Sequence, residues 1–256
     1  MIIYKSAEEL AKMRTSGRIL AGVIDRVLEA VAPGRTTEDL DRVAEAATRE
    51  AGAVPSFLGY RGFTKTICSS LNDEIVHGIP SPTRVLKDGD LLSLDFGCIW
   101  EGFHSDSAVT VFVGEPASSE AEKLVQVTQE ALEAGIAAIR PGAHLSDISH
   151  AVDQVASGAG FGVVREYVGH GVGRSLHEDP QIPNYGPPGR GPVMKPGLVV
   201  AVEPMVNMGG WETRLTGDNW TVVTADGSLS AHFEHTIAVT EDGHEVLTAR
   251  PGSIRP

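Results

Sequence analysis

Residues 86–97 read LKDGDLLSLDFG and residues 194–205 read MKPGLVVAVEPM. Laid over each other at an offset of 108, they pair Lys87 with Lys195, Gly89 with Gly197 and Asp95 with Glu203, without a gap. The same offset carries Pro33-Gly34 onto Pro141-Gly142, Leu40 onto Ile148 and Gly52 onto Gly160. Chance recurrence of Pro-Gly helix stops would explain the helix ends, but not a matched strand that carries an acid. The period is too long for a solenoid. Two helix–turn–helix–strand units therefore look like halves of one duplicated structure.

The helices around these strands have their own signals. Ser6 and Glu9 fit a capping box, after which Leu10, Met13, Leu20, Ile24, Val27 and Val31 line one face until Pro33-Gly34. A second helix is expected from Thr37 to Gly52. Ser119 and Glu122 fit another capping box, opening a helix that runs through Ile139 and stops at Pro141-Gly142.

Composition narrows the function classes. The 256 residues carry a net charge of −13, which argues against a nucleic-acid binder with a broad basic face. No stretch approaches the ~18 apolar residues of a membrane span, and the N-terminus has no secretory leader pattern. Two cysteines, Cys68 and Cys98, are too few for a disulfide framework, so a reducing cytoplasm is expected.

In the strand LLSLDF, Leu91, Ser93 and Asp95 share a face, so Asp95 is expected to be buried and in need of a cation, donors or a proton. A second strand, SDSAVTVFV, follows after Gly97 and Gly102, and is expected to set Asp106 opposite Asp95. The second half offers Glu203 on its strand and Glu234 within the strand-like AHFEHTIAV. Like charges ~4 Å apart repel by roughly 4 kcal/mol at an effective dielectric of about 20, so four acids on one floor require neutralisation. Two divalent cations would balance them.

GHGVGRSLHEDP (169–180) adds His170 and His177. Its glycines do not follow the GxGxxG dinucleotide pattern, and LDFG lacks the catalytic loop and lysine that accompany the kinase magnesium motif. Structural histidines and metal or catalytic histidines both remain open on these residues alone. Imidazole beside carboxylates favours Mn, Fe, Co or Zn over Mg or Ca.

NDEIVHGIP (72–80), DFGCIWEGFHSD (95–106), GHGVGRSLHEDP, VEPM (202–205) and FEHT (233–236) together resemble type I methionine aminopeptidases of peptidase family M24. The resemblance implies an α+β pita-bread fold, two pseudo-symmetric helix–helix–strand halves around a central antiparallel sheet, with residues 1–256 forming a single catalytic domain. It implies removal of the initiator methionine from new polypeptides when the second residue is small. Two divalent metal ions would be held by Asp95, Asp106, His170, Glu203 and Glu234, with Asp106 and Glu234 bridging. Glu203 would also shuttle a proton, His177 would donate to the substrate carbonyl, and His77 would contact the scissile nitrogen. Thr110 would stand behind the ligands. Phe57, Tyr60, Phe63, Cys68, Leu176 and Trp220 would line the side-chain pocket. The implied partners are nascent polypeptide N-termini at the ribosome, with no nucleic acid and no membrane, and the enzyme is expected to be monomeric and cytoplasmic.

Three positions depart from the family's habit. His232 stands where Gln is common, Ala201 where Thr is common and Leu176 where an aromatic is common. His104, His150, His235 and His244 read as surface or supporting histidines, and Cys98 as packing. A proline-directed dipeptidase of the same fold would need a further N-terminal domain, and a catalytically silent binding relative would lack ligands present here. A type II enzyme would carry a long insertion, whereas 31 positions separate Glu203 from Glu234.

Overall fold

A computed structural model describes residues 1–250. The first helix, α1 (Ala7–Ala30), opens on the expected capping box: Ser6 Oγ accepts from the Glu9 N–H while the Glu9 carboxylate accepts from the Ser6 N–H. Its buried stripe contains Met13, Leu20, Ile24 and Val27, and the helix ends where Val31 turns extended ahead of Pro33. Helix α2 (Thr37–Glu50) follows. In the second half, α3 (Ser119–Ala137) is capped by Ser118 rather than by the expected Ser119. Ser118 has the extended backbone a cap requires, and its side chain accepts from Ala121 N–H, whereas the Ser119 hydroxyl turns to Glu120. Helix α4 (Leu145–Gly158) completes the set.

The 108-residue offset survives in three dimensions. It maps the bounds of α2 onto those of α4. The isolated bridge Thr36–Val85 maps onto His144–Val193, and the Gly34 N–H bond to Leu86 O maps onto that from Gly142 to Met194. Gly34 and Gly142 have φ of 86° and 85°, a left-handed turn that a side chain resists.

The strands diverge more than the helices. In the first half, Leu91–Trp100 and Phe103–Phe112 form one unbroken antiparallel hairpin. Its register sets Asp95 opposite Ala108 and Asp106 opposite Gly97, so the two acids are diagonal neighbours on one face, not the directly facing pair expected. In the second half both strands are interrupted. Val199–Val202 and His235–Val239 pair in one sheet, Met205–Asn207 and Ser230–His232 in another. Glu203 and Glu234 sit in the breaks, rather than within strands as expected. Pairs Val202–His235 and Met205–His232 bracket them, so the two glutamates face each other.

The two hairpins meet edge to edge. Ala108 and Glu234 exchange backbone hydrogen bonds at the centre. On one side, Thr110 Oγ1 accepts from His232 N–H and donates to His232 O, and on the other Thr236 Oγ1 does the same with Asp106. A local dyad through the Ala108–Glu234 pair thus exchanges Thr110 with Thr236, and Asp106 with His232. The main core draws on both halves, including Leu20, Ile24, Leu40 and Leu94 from the first and Leu124, Ile148, Val152 and Val200 from the second.

Candidate active site

The duplication brings Asp95 and Glu203 to equivalent positions. Asp106 and Glu234 are not equivalent: the dyad-related place of Asp106 holds His232 and that of Glu234 holds Ala108. The acids therefore gather by divergence within a symmetric frame. His170 reaches them from the strand Gly169–Gly171, which pairs with Val199–Val202 through His170–Ala201. The nearby glycines pack against protein backbone and side chains. A Cβ on Gly169 would lie 2.5 Å from Ala201 O, one on Gly171 2.2 Å from Asp179 O, and one on Gly173 2.5 Å from Lys5 Cε.

His170 Nδ1 lies 2.9 Å from Gly171 O, which can only accept, so the ring carries its proton there and presents a bare Nε2. That Nε2 is 3.7 Å from Asp106 Oδ2 and 3.5 Å from Glu203 Oε1. One ligand atom each from Asp106, His170 and Glu234 lie within 4.8 Å of one another, all on buried residues. Burial holds the Asp95 carboxyl up at about 7, and burial plus the neighbouring acids push Asp106, Glu203 and Glu234 well above the carboxylate range. Burial and the adjacent His177 take His170 down to about 3, so it is neutral. Asp95 Oδ1, Asp106 Oδ1 and Glu234 Oε1 are buried without a hydrogen-bond partner. Carboxyl groups crowded around a neutral imidazole, whose joint ionisation burial opposes, are suited to a cation that would balance their charge.

The sequence pattern for metallopeptidase family M24 matches residues 11–241. The chain belongs to that family. It is 53% identical over 248 residues to methionine aminopeptidase 1 of Bacillus subtilis, covering 97% of this chain and 99% of that protein. It is 47% identical to methionine aminopeptidase 1 of Mycobacterium tuberculosis, over 97% and 95% of the two chains. The crystal structure of a methionine aminopeptidase from Thermotoga maritima superposes with a TM-score of 0.96 at 45% identity, covering 98% of this chain and all of that one. Prolidase from Pyrococcus furiosus shares the fold at a TM-score of 0.78 and 22% identity, with 66% of its length covered. The pita-bread architecture is thus that of the chain, and family membership together with the buried cluster makes it a divalent-metal protein.

Beside the M24 cluster opens a cleft of about 720 Å³ including its mouth. Its lining contains the acids, His170, His77, His177 and the six expected pocket residues. Phe57, Phe63, Cys68 and Leu176 form a buried cluster against which Tyr60, Ile79 and Trp220 pack. Phe63 and Trp220 meet edge to face with centroids 5.0 Å apart. Asp218 fixes the Trp220 turn by accepting from the N–H groups of Trp220 and Thr221 and the hydroxyls of Thr216 and Thr221. Burial, together with the Asp95 and Asp106 carboxyls, pushes the Cys68 thiol well up, so it behaves as an apolar wall.

His177 stacks on Tyr60, whose hydroxyl lies 2.9 Å from its Nδ1, and its ring centroid is 4.2 Å from that of His170. Burial and then the Arg61 charge lower its pKa. His77 has φ of 61°, an uncommon left-handed backbone for a non-glycine, and its ring meets Tyr167 and Trp220 edge-on. Burial takes it down to about 4. Thr110 does not line the cleft; it joins Ser93 Oγ at 2.8 Å and ties down His232. His232 points Nε2 to within 3.9 Å of Glu203 Oε2. His235, expected as a surface or supporting group, is buried and bonded to Thr248, while His244 is exposed. Arg61 and Tyr167 carried no sequence signal. Arg61 sits at the mouth over the Tyr60 ring with φ of 50°.

Proposed function

We propose that this chain hydrolyses the first peptide bond of polypeptides that begin with methionine and have a small second residue. The observation that carries the reading is one cleft in which an apolar, sulfur-tolerant wall of Phe57, Phe63, Cys68, Leu176 and Trp220 ends on partnerless buried carboxyl oxygens. A thioether is accommodated by such aromatic and thiol surfaces. Two divalent ions, Co, Mn, Fe or Zn, would be held by Asp95, Asp106, His170, Glu203 and Glu234. When bound, they supply Lewis acidity and lower the pKa of water towards neutrality.

The chain's own groups divide the remaining work. With the Tyr60 hydroxyl donating to Nδ1 of His177, the ring's proton would sit on Nε2, free to donate to the substrate carbonyl oxygen and to the oxyanion that forms there. Its lowered pKa keeps the ring neutral near pH 7. Glu203 accepts a proton from the attacking water and passes it to the departing nitrogen, beside which His77 stands. Thr110 and Thr236 fix the backbone behind His232 and Asp106.

The reaction as drawn asks for no group from a second subunit, so a monomer would suffice for it. Free, buried Cys68 and Cys98 suit a reducing cytoplasm, where substrates would be new chain ends at the ribosome. Among the described residues no helix is long and apolar enough to cross a membrane. Metal-loaded protein should release methionine from Met-Gly-Met-Met and leave dipeptides with a second-position proline largely intact. No free methionine with any of the four metals would sink the proposal, and preferential cleavage of the proline dipeptides would favour a prolidase-like activity.

A further inference from the structure

We infer that Lys5 is a positioning residue for this reaction: through Glu178 it fixes the segment that presents His177. The inference rests on the role proposed for His177. Residues 172–177 belong to no strand or helix, so His177 has no sheet ladder of its own to hold it. The residue after it, Glu178, begins the next strand and turns its carboxylate inward. Lys5 Nζ donates to Glu178 Oε2 at 2.8 Å, and the two side chains are only 2% and 6% exposed. The other oxygen, Oε1, accepts from the Ser175 N–H at 3.2 Å, so one carboxylate ties both sides of the His177 bend.

Lys5 is itself anchored. Its backbone N–H donates to Gly197 O at 2.7 Å, and the Gly197 N–H donates to Val239 O in the sheet. Its ammonium also reaches Ile3 O. A continuous set of polar contacts therefore runs from the sheet through Gly197, Lys5 and Glu178 to the bend. Gly173 leaves room for it: a Cβ there would lie 2.5 Å from Lys5 Cε and 2.6 Å from Glu178 Oε1. A buried ion pair contributes little net stability compared with apolar packing, but it enforces geometry. Displacing a donor by ~1 Å costs turnover heavily.

Lys5→Met, Glu178→Gln and the double variant should be assayed on Met-Gly-Met-Met with saturating metal, alongside thermal melting and bound-metal analysis. Each single change should lower kcat about tenfold or more, with KM within about twofold and metal content unchanged. The double variant should be no worse than the poorer single one. In a His177→Ala background, Lys5→Met should change the residual kcat by less than about twofold. Unchanged kcat in either folded single variant, or an equal tenfold loss without His177, overturns the inference. Should Lys5→Met fail to fold, the isosteric Glu178→Gln decides alone. The His177 ring resonances, read by NMR without substrate, should shift or broaden in Glu178→Gln; an unmoved spectrum counts against it. If the parent protein releases no methionine, the functional reading fails separately and the ring resonances still judge the positioning.

Discussion

Replacing Asp95 with Asn should make the metal-free protein more stable at pH 8 while destroying its response to metal. Burial holds the Asp95 carboxyl at about 7, against an ordinary value of 3.8. A carboxyl whose folded pKa is raised gives its full stabilising contribution below about pH 3.8, and that contribution is lost as pH climbs towards 7. At about 1.4 kcal/mol per unit, the folded metal-free chain gives up roughly 4 kcal/mol through this group by pH 8. Asn is neutral throughout and does not lose it. For a chain of this size, roughly 4 kcal/mol corresponds to about 10 °C in melting temperature. Chelator-treated parent and Asp95→Asn proteins should therefore melt together near pH 4 and separate as pH rises, the variant being higher at pH 8. Added Mn or Co should raise the parent's melting temperature at pH 8 and leave the variant nearly unmoved. An advantage that is equal at pH 4 and pH 8, or absent at both, would refute the burial argument. An undiminished metal response would remove Asp95 from the ligand set.

Three further outcomes follow from the same geometry. His177→Ala should lower turnover by about a hundredfold or more with little change in bound metal, because the ring is assigned to substrate; large metal loss would move it among the ligands. Thr236→Val leaves the buried N–H and C=O of Asp106 without their hydroxyl partner, so denaturant titration should read a loss of about 2–4 kcal/mol. Asp218→Ala should raise KM for Met-Gly-Met-Met several-fold with kcat nearly kept, since it frees the Trp220 turn and not the reacting groups; a matching fall in kcat would contradict that division.

The duplication was legible because its punctuation is strict. Gly34, Gly52 and Gly89 and their counterparts all need left-handed backbone, so they keep their spacing. The acids' identity was legible through the family motifs, but their mutual placement was not. The connection between the strands of the first hairpin is only Glu101-Gly102, both at positive φ, and this tight turn leaves Asp106 two residues short of the position that faces Asp95. The strand reading of Glu203 overlooked Pro204, which has no N–H to give to a ladder, and Glu203 lies in a break. Ser118 beside Ser119 left the choice of cap to backbone geometry. Arg61 and Lys5 had no pattern to betray them, since one acts from an isolated turn and the other through a partner 173 residues away.

The dyad between the hairpins has a consequence beyond stability. A frame with twofold symmetry has no preferred end, whereas a peptide has a distinct head and tail. With Ala108 in the place related to Glu234, and His232 in the place related to Asp106, the two sides of the floor differ in charge and bulk. The asymmetry at those two positions lies directly behind the floor of the cleft, where on the proposed reading it would help a bound chain to be held one way round and not the other. Cutting one residue from an end, and never from the middle, would then depend on the ways in which the two copies ceased to be copies.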